Sequence, residues 1–107
     1  VLQKSVEAYK LWQAYHVHFP RLTKYTLGGK IDTLFTDFIE LLLFAGYASR
    51  EQKAAVIAKA NAKFDSLKFF LQVAWETKNL DHKKYTTLST PLGEVGRMLG
   101  GWRKSLE

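Results

Sequence analysis

The sequence predicts an all-α chain, folded as an up-down-up-down four-helix bundle in one domain over residues 1–107. Three observations predict it. Turn-forming clusters at "HFPRLTKYT", "AGYAS" and "TKNLD" cut the chain into four helix-length pieces. Within each piece apolar residues recur at three- and four-residue spacing, the period of a helix with one buried face. Apolar residues make up 47% and aromatics 14% of the 107 residues, enough for one packed core and too many for a disordered tail.

The first predicted helix runs from Leu2 to His18, with Ser5, Tyr9, Trp12, His16 and Phe19 on one face and Pro20 closing it. The second starts after Thr26 as N-cap and aligns Leu27, Ile31, Leu34, Phe38, Leu41 and Ala45. The third opens with "SREQ" (Ser49–Gln52), a capping-box pattern, and carries Ile57, Ala60, Phe64, Leu67, Leu71 and Ala74. The fourth follows Asp81 and aligns Tyr85, Leu88, Leu92, Val95, Leu99, Trp102 and Leu106. Pro91 interrupts it, and the expectation is a kink or a fresh start capped by Ser89 or Thr90. Four such stripes joined by short loops make an antiparallel bundle.

Two helices carry more apolar surface than one bundle needs. On the third, Ala55, Ala58, Ala62, Phe69 and Val73 lie opposite the core stripe, with Ser66 filling the gap. On the second, Phe35, Ile39, Leu42 and Leu43 widen the apolar arc to roughly 200° at 3.6 residues per turn. Contiguous apolar faces of this kind mark interfaces, so the chain is expected to self-associate through Phe35, Ile39, Leu43, Ala55, Ala58, Ala62, Phe69 and Val73.

The chemistry for catalysis is missing from the sequence. No Glu-x-x-His pair supports a di-iron site, and there is no Walker loop, GxSxG or HExxH pattern. His16 and His18 diverge around a helix and cannot chelate one metal; His16 reads as a hydrogen-bonded residue at the core edge. The expectation is a protein that is not an enzyme, with no cofactor and no metal. With no cysteine, no long uncharged apolar run and polar Gln3, Lys4 and Glu7 at the start, the chain reads as cytoplasmic and without a membrane partner.

Sixteen Lys and Arg against ten Asp and Glu leave a net charge of +6, which favours an anionic partner such as RNA or DNA. The candidate contacts are Lys24 and Lys30 beside "TLGGKI", the pair Lys59 and Lys63, Lys83 and Lys84 at the start of the fourth helix, and Arg97, Arg103 and Lys104 near its end. "TLGGKI" has two readings, an anion site on free N–H groups of a helix start or a tight turn packed under another helix. "GRMLGGW" has two as well. Gly93, Gly96 and Gly100 share a stripe roughly 100° from the core residues and bordered by Arg97 and Lys104. Such a strip serves either close packing of a helix or subunit, or direct contact with a nucleic acid or protein partner.

"KYTLG", "LKFFLQVAWETKNLDHKKY" and "EVGRMLGGWRKSL" together resemble a small four-helix-bundle family over Lys10–Leu106. That family contains the accessory variability determinant (Avd) of diversity-generating retroelements and the proteins encoded by intervening sequences in 23S ribosomal RNA genes. The Avd branch is the nearer. The resemblance implies a homopentameric barrel of bundles and a non-enzymatic role in binding the element's reverse transcriptase and its template RNA or DNA. The other branch implies a ring without a reverse-transcriptase partner. Pro91, Gly93 and Arg103 depart from the family pattern, the first two replacing helix formers and the third an apolar residue.

Overall fold

The chain forms α1 (Leu2–His16), a single-turn α2 (Arg21–Lys24), α3 (Leu27–Tyr47), α4 (Arg50–Glu76) and α5 (His82–Ser105), with no strand. The computed structural model describes residues Val1–Glu107. α1 packs on α3 and α5, and α4 packs on the same two, so the long helices close into a ring with α1 and α4 on one diagonal. The 27 residues of α4, at about 1.5 Å each, span roughly 40 Å of a molecule whose long axis is 43 Å. Two turns share one end of the bundle, Val17–Thr26 and Thr77–Asp81, and the tight Ala48–Ser49 connection lies at the other.

Side-chain caps start two of the long helices where the sequence places them. The Gln52 N–H donates to Ser49 Oγ at 3.3 Å, and the Lys84 N–H to Asp81 Oδ1 at 2.8 Å. Thr26 is a correction: its hydroxyl donates back to the Leu22 carbonyl at 3.4 Å, and α3 begins without a side-chain cap. The first helix also ends sooner than its periodicity predicts, at His16. There the backbone tightens into i→i+3 bonds, His18 to Tyr15 and Phe19 to His16, which swing Phe19 back onto Trp12.

Each long helix turns one stripe to a shared core. On α4 the buried residues are Ile57, Ala60, Phe64, Leu67, Leu71 and Ala74, the expected six and no others. On α5 they are Leu88, Leu92, Val95 and Leu99, in unbroken phase across Pro91. The expected fresh start is therefore corrected. Ser89 and Thr90 do not cap; their hydroxyls donate to the carbonyls of Tyr85 and Thr86 within a continuous helix. α3 buries Phe35 and Leu42 together with Ile31, Leu34 and Phe38, because α1 and α2 cover one flank of it and α4 the other. Phe35 is fully buried, in contact with Tyr9 and Trp12, and so is a core residue and not part of an oligomer interface.

Trp12 organises the junction of α1 and α3. It is wholly buried, stacks on His16 (4.9 Å between centroids) and Phe35 (6.1 Å), and donates its indole N–H to Asp32 Oδ1 at 3.2 Å. Tyr9 donates to the same oxygen at 3.0 Å. Burial, and after it the neighbouring Asp32, raises the Tyr9 phenol above its usual range. His16 then lies across the start of α3, with Nε2 2.8 Å from the Lys24 carbonyl. Only glycine fits beneath it, since a Cβ on Gly28 would stand 2.5 Å from His16 Nε2. Gly28 thus belongs to the tight-turn reading of "TLGGKI".

Gly28→Ala is predicted to cost about 1–3 kcal/mol of folding stability, because the His16 ring must leave both Trp12 and the Lys24 carbonyl. Thermal melts of a double-mutant cycle check the cause: the same substitution in a His16→Ala background is expected to cost clearly less.

Candidate nucleic-acid interface

The cations named from the sequence fall on three parts of the bundle. Lys24, Lys83 and Lys84 lie at the turn end, with Lys30 in the first turns of α3 beside them. Lys59 and Lys63 lie on α4, and Arg97, Arg103 and Lys104 on the far half of α5. They do not form one cluster. Of the sixteen Lys and Arg, only Lys4, Lys63, Lys68 and Lys84 pair with carboxylates. Lys63 meets Asp37 of α3 at 3.7 Å, and Lys84 meets Asp81 at 3.9 Å while lying 5.7 Å from the Tyr15 ring centre. Lys30 lies 5.9 Å from the Phe70 ring centre. Away from the candidate set, Lys4 is held above the usual lysine range by its hydrogen bonds to Glu94 and Glu7.

At the turn end two segments far apart in sequence meet through one bond, Thr23 Oγ1 donating to Asn79 Oδ1 at 2.6 Å. The two segments at this end, residues 17–26 and 76–84, carry Arg21, Lys24, Lys78, Lys83 and Lys84 against Glu76 and Asp81. Aromatic surface lies among them. Tyr25 is 79% exposed with Lys24 Nζ 5.8 Å from its centroid, and Trp75 stacks flat on Tyr85 at 4.9 Å beside His82. Trp75, Glu76, Lys78, Leu80, Asp81 and His82 line a cleft of about 480 Å³ there. Arg21, Tyr25, Trp75 and Lys78 were not among the residues the sequence singled out. The local signal for Tyr25 was its place beside Lys24; nothing local announces that the "TKNLD" turn will sit next to it.

The outer face of α4 is the second feature. Ala55, Ala58, Ala62 and Phe69 are exposed and Val73 is half-buried. From α3, Leu43 is exposed and Ile39 half-buried, so only part of its predicted excess survives the burial of Phe35. The glycine stripe of α5 flanks this face, and its three members differ. A Cβ on Gly96 would lie 3.3 Å from Phe64 of α4, which is the close packing expected. Gly93 meets only the Arg97 guanidinium at 3.8 Å, and Gly100 meets nothing within 4 Å. For those two, packing within the bundle is not the reason. Ala54 and Ala58 continue from α4 to Arg103 and Leu106 of α5 around a shallow cleft that also touches Glu107.

No group of three or more His, Asp or Glu side chains converges as a metal site. No helix is long and apolar enough to cross a membrane. A family model described as bAvd-like matches residues 1–106. The chain belongs to that family. The match covers every helix of the bAvd-like bundle described above and agrees with the Avd branch of the resemblance. No curated protein matches the chain.

Phenylalanines on the two faces of this bAvd-like bundle separate core from surface. Phe35→Ala is expected to cost about 3–5 kcal/mol by emptying a core site, and Phe69→Ala less than about 0.5 kcal/mol of the fold's own stability. Chemical denaturation of both variants at low chain concentration checks the contrast.

Proposed function

We propose that this bAvd-like chain is a non-enzymatic accessory protein of a diversity-generating retroelement. In this reading it binds template RNA or DNA and the element's reverse transcriptase through its basic surface, in support of mutagenic retrohoming. Five copies assemble as a barrel, with the outer face of α4 buried between neighbours. The observation that carries the reading is a cationic surface left unpaired within the chain, on a fold of the Avd family. Lys24, Lys59, Lys83, Arg97, Arg103 and Lys104 make no ion pair, so each is free to replace a counterion on a phosphate. The match to the bAvd-like model favours this reading over a ring protein that lacks a reverse-transcriptase partner.

Assembly fits the same picture. Ala55, Ala58 and Ala62 make a flat strip, Phe69 stands 59% exposed at its end, and open space above Gly100 leaves room for a neighbouring backbone. A ring would also repeat each basic patch around its rim, which multiplies phosphate contacts.

The test is a titration of labelled RNA against the purified chain at several salt concentrations. Affinity is expected to fall at least about tenfold from low to physiological salt. Arg97→Ala should keep the melting temperature and reduce the salt slope by about 1. Affinity that stays flat across salt would remove the electrostatic basis of the proposal. Co-purification with the reverse transcriptase encoded beside the gene checks the protein partner.

A further inference from the structure

We infer that the turn end of the bundle is a contact surface for single-stranded nucleic acid, with the Tyr25 ring as a base-stacking platform and Lys78 as a phosphate contact. The inference rests on the nucleic-acid-binding reading above and goes beyond it in naming the strand form and the residues. Tyr25 has no structural task in the bundle: its ring is 79% exposed, and neighbouring Leu22 is 86% exposed. It is held outward because His16 fixes the adjacent Lys24 carbonyl at 2.8 Å. An exposed ring with a cation beside it suits a base on its face and a phosphate at its edge. Lys24 is that cation, and the Thr23–Asn79 bond ties the turn that carries Lys78 to the same end of the bundle.

Lys78 is the second, independent sign. α4 ends in a Schellman turn: Lys78 N–H donates to the Trp75 carbonyl at 3.1 Å and Asn79 N–H to the Ala74 carbonyl at 2.9 Å. Lys78 sits at its left-handed position, φ 64°, and is the one residue of the chain other than glycine with positive φ. Glycine would occupy that position with less strain. A lysine there sets an ammonium group on the rim of the Trp75–His82 cleft, where it has no carboxylate partner. The cleft's own carboxylates are Glu76 and Asp81. Asp81 is engaged with Lys84 through both its backbone N–H and its ammonium, and Glu76 accepts from Gln72 at 2.9 Å. Strain kept at an exposed cation points to use by a partner.

Single strands fit better than duplexes because only unpaired bases present their faces to a ring. The turn end also offers no long helix or strand ribbon to enter a major groove. The opposite end of the bundle differs, with Val1, Leu2, Leu42, Leu43, Gly46, Tyr47 and Trp102 lining an apolar cleft that suits protein better than phosphate.

The experiment is fluorescence anisotropy with a labelled oligo(dT) and a DNA duplex of equal length, on the unchanged chain, Tyr25→Ala, Tyr25→Phe and Lys78→Gly. Tyr25→Ala is expected to weaken oligo(dT) binding about tenfold and duplex binding less than about twofold, while Tyr25→Phe retains both. Lys78→Gly is expected to raise the melting temperature, through relief of the left-handed position, and yet to bind oligo(dT) more weakly with a shallower salt slope. If Tyr25→Ala binds oligo(dT) as tightly as the unchanged chain, or loses both probes equally, the inference falls and the broader reading stands. Lys78→Gly with unchanged affinity and slope would likewise remove the role given to Lys78. An unchanged chain that binds neither probe at low salt overturns the inference together with the reading beneath it.

Discussion

α4 can turn only one stripe of side chains to the core, and that constraint organises the rest of the molecule. Its six buried residues lie between α3 and α5, with Val56 and Phe70 packed half-buried at the edge of the same core. The second row, Ala55 to Val73, is left outside by geometry, since residues about 180° away on a helix cannot share one core. α3 escapes the same fate for Phe35 and Leu42 because α1 covers its other flank. Within the chain α4 packs chiefly on α3 and α5. An apolar face with no partner in its own bundle is the feature on which the proposed assembly rests, and with it the proposed repetition of the basic surface.

The turn end depends on a different junction. Trp12 locks α1 to α3, His16 stacks on Trp12, and the absence of a Cβ at Gly28 lets the His16 ring reach the Lys24 carbonyl. With that carbonyl fixed, Tyr25 faces solvent beside half-buried Lys24, and Thr23 is in reach of Asn79. A packing detail deep in the bundle thus sets the position of exposed residues that the proposed function uses. The aromatic cluster under the turn and the cations above it are two sides of one arrangement.

Much of this was legible in the sequence, and the losses have physical causes. The core stripes of α4 and α5 could be read residue by residue, because each packs one face into one core and periodicity reports that directly. Phe35 could not, since a wide apolar arc looks the same whether its second partner is another helix of the chain or another subunit. Gly93, Gly96 and Gly100 share a stripe by helical geometry, but only Gly96 has Phe64 opposite it, and spacing within one helix carries no information about the helix across from it. Pro91 misled through its local rule: the helix absorbs one lost N–H while the core residues on both sides keep its phase. The cations were legible as residues and not as a site. The segments that carry Lys24 and Lys78 meet only through a tertiary bond between positions 56 apart, and Lys78 gains its interest from a left-handed conformation that its residue type does not announce. Family membership, read from three quoted stretches, holds across nearly the whole chain.

Whether the outer face of α4 is buried between copies is the point on which this account turns, and light scattering coupled to size-exclusion chromatography measures it directly. The account predicts, at micromolar concentration, a particle close to five chain masses, and a smaller particle of unchanged helicity for Phe69→Glu, which places a charge in a desolvated contact. A single 12.3 kDa chain under the same conditions would contradict it.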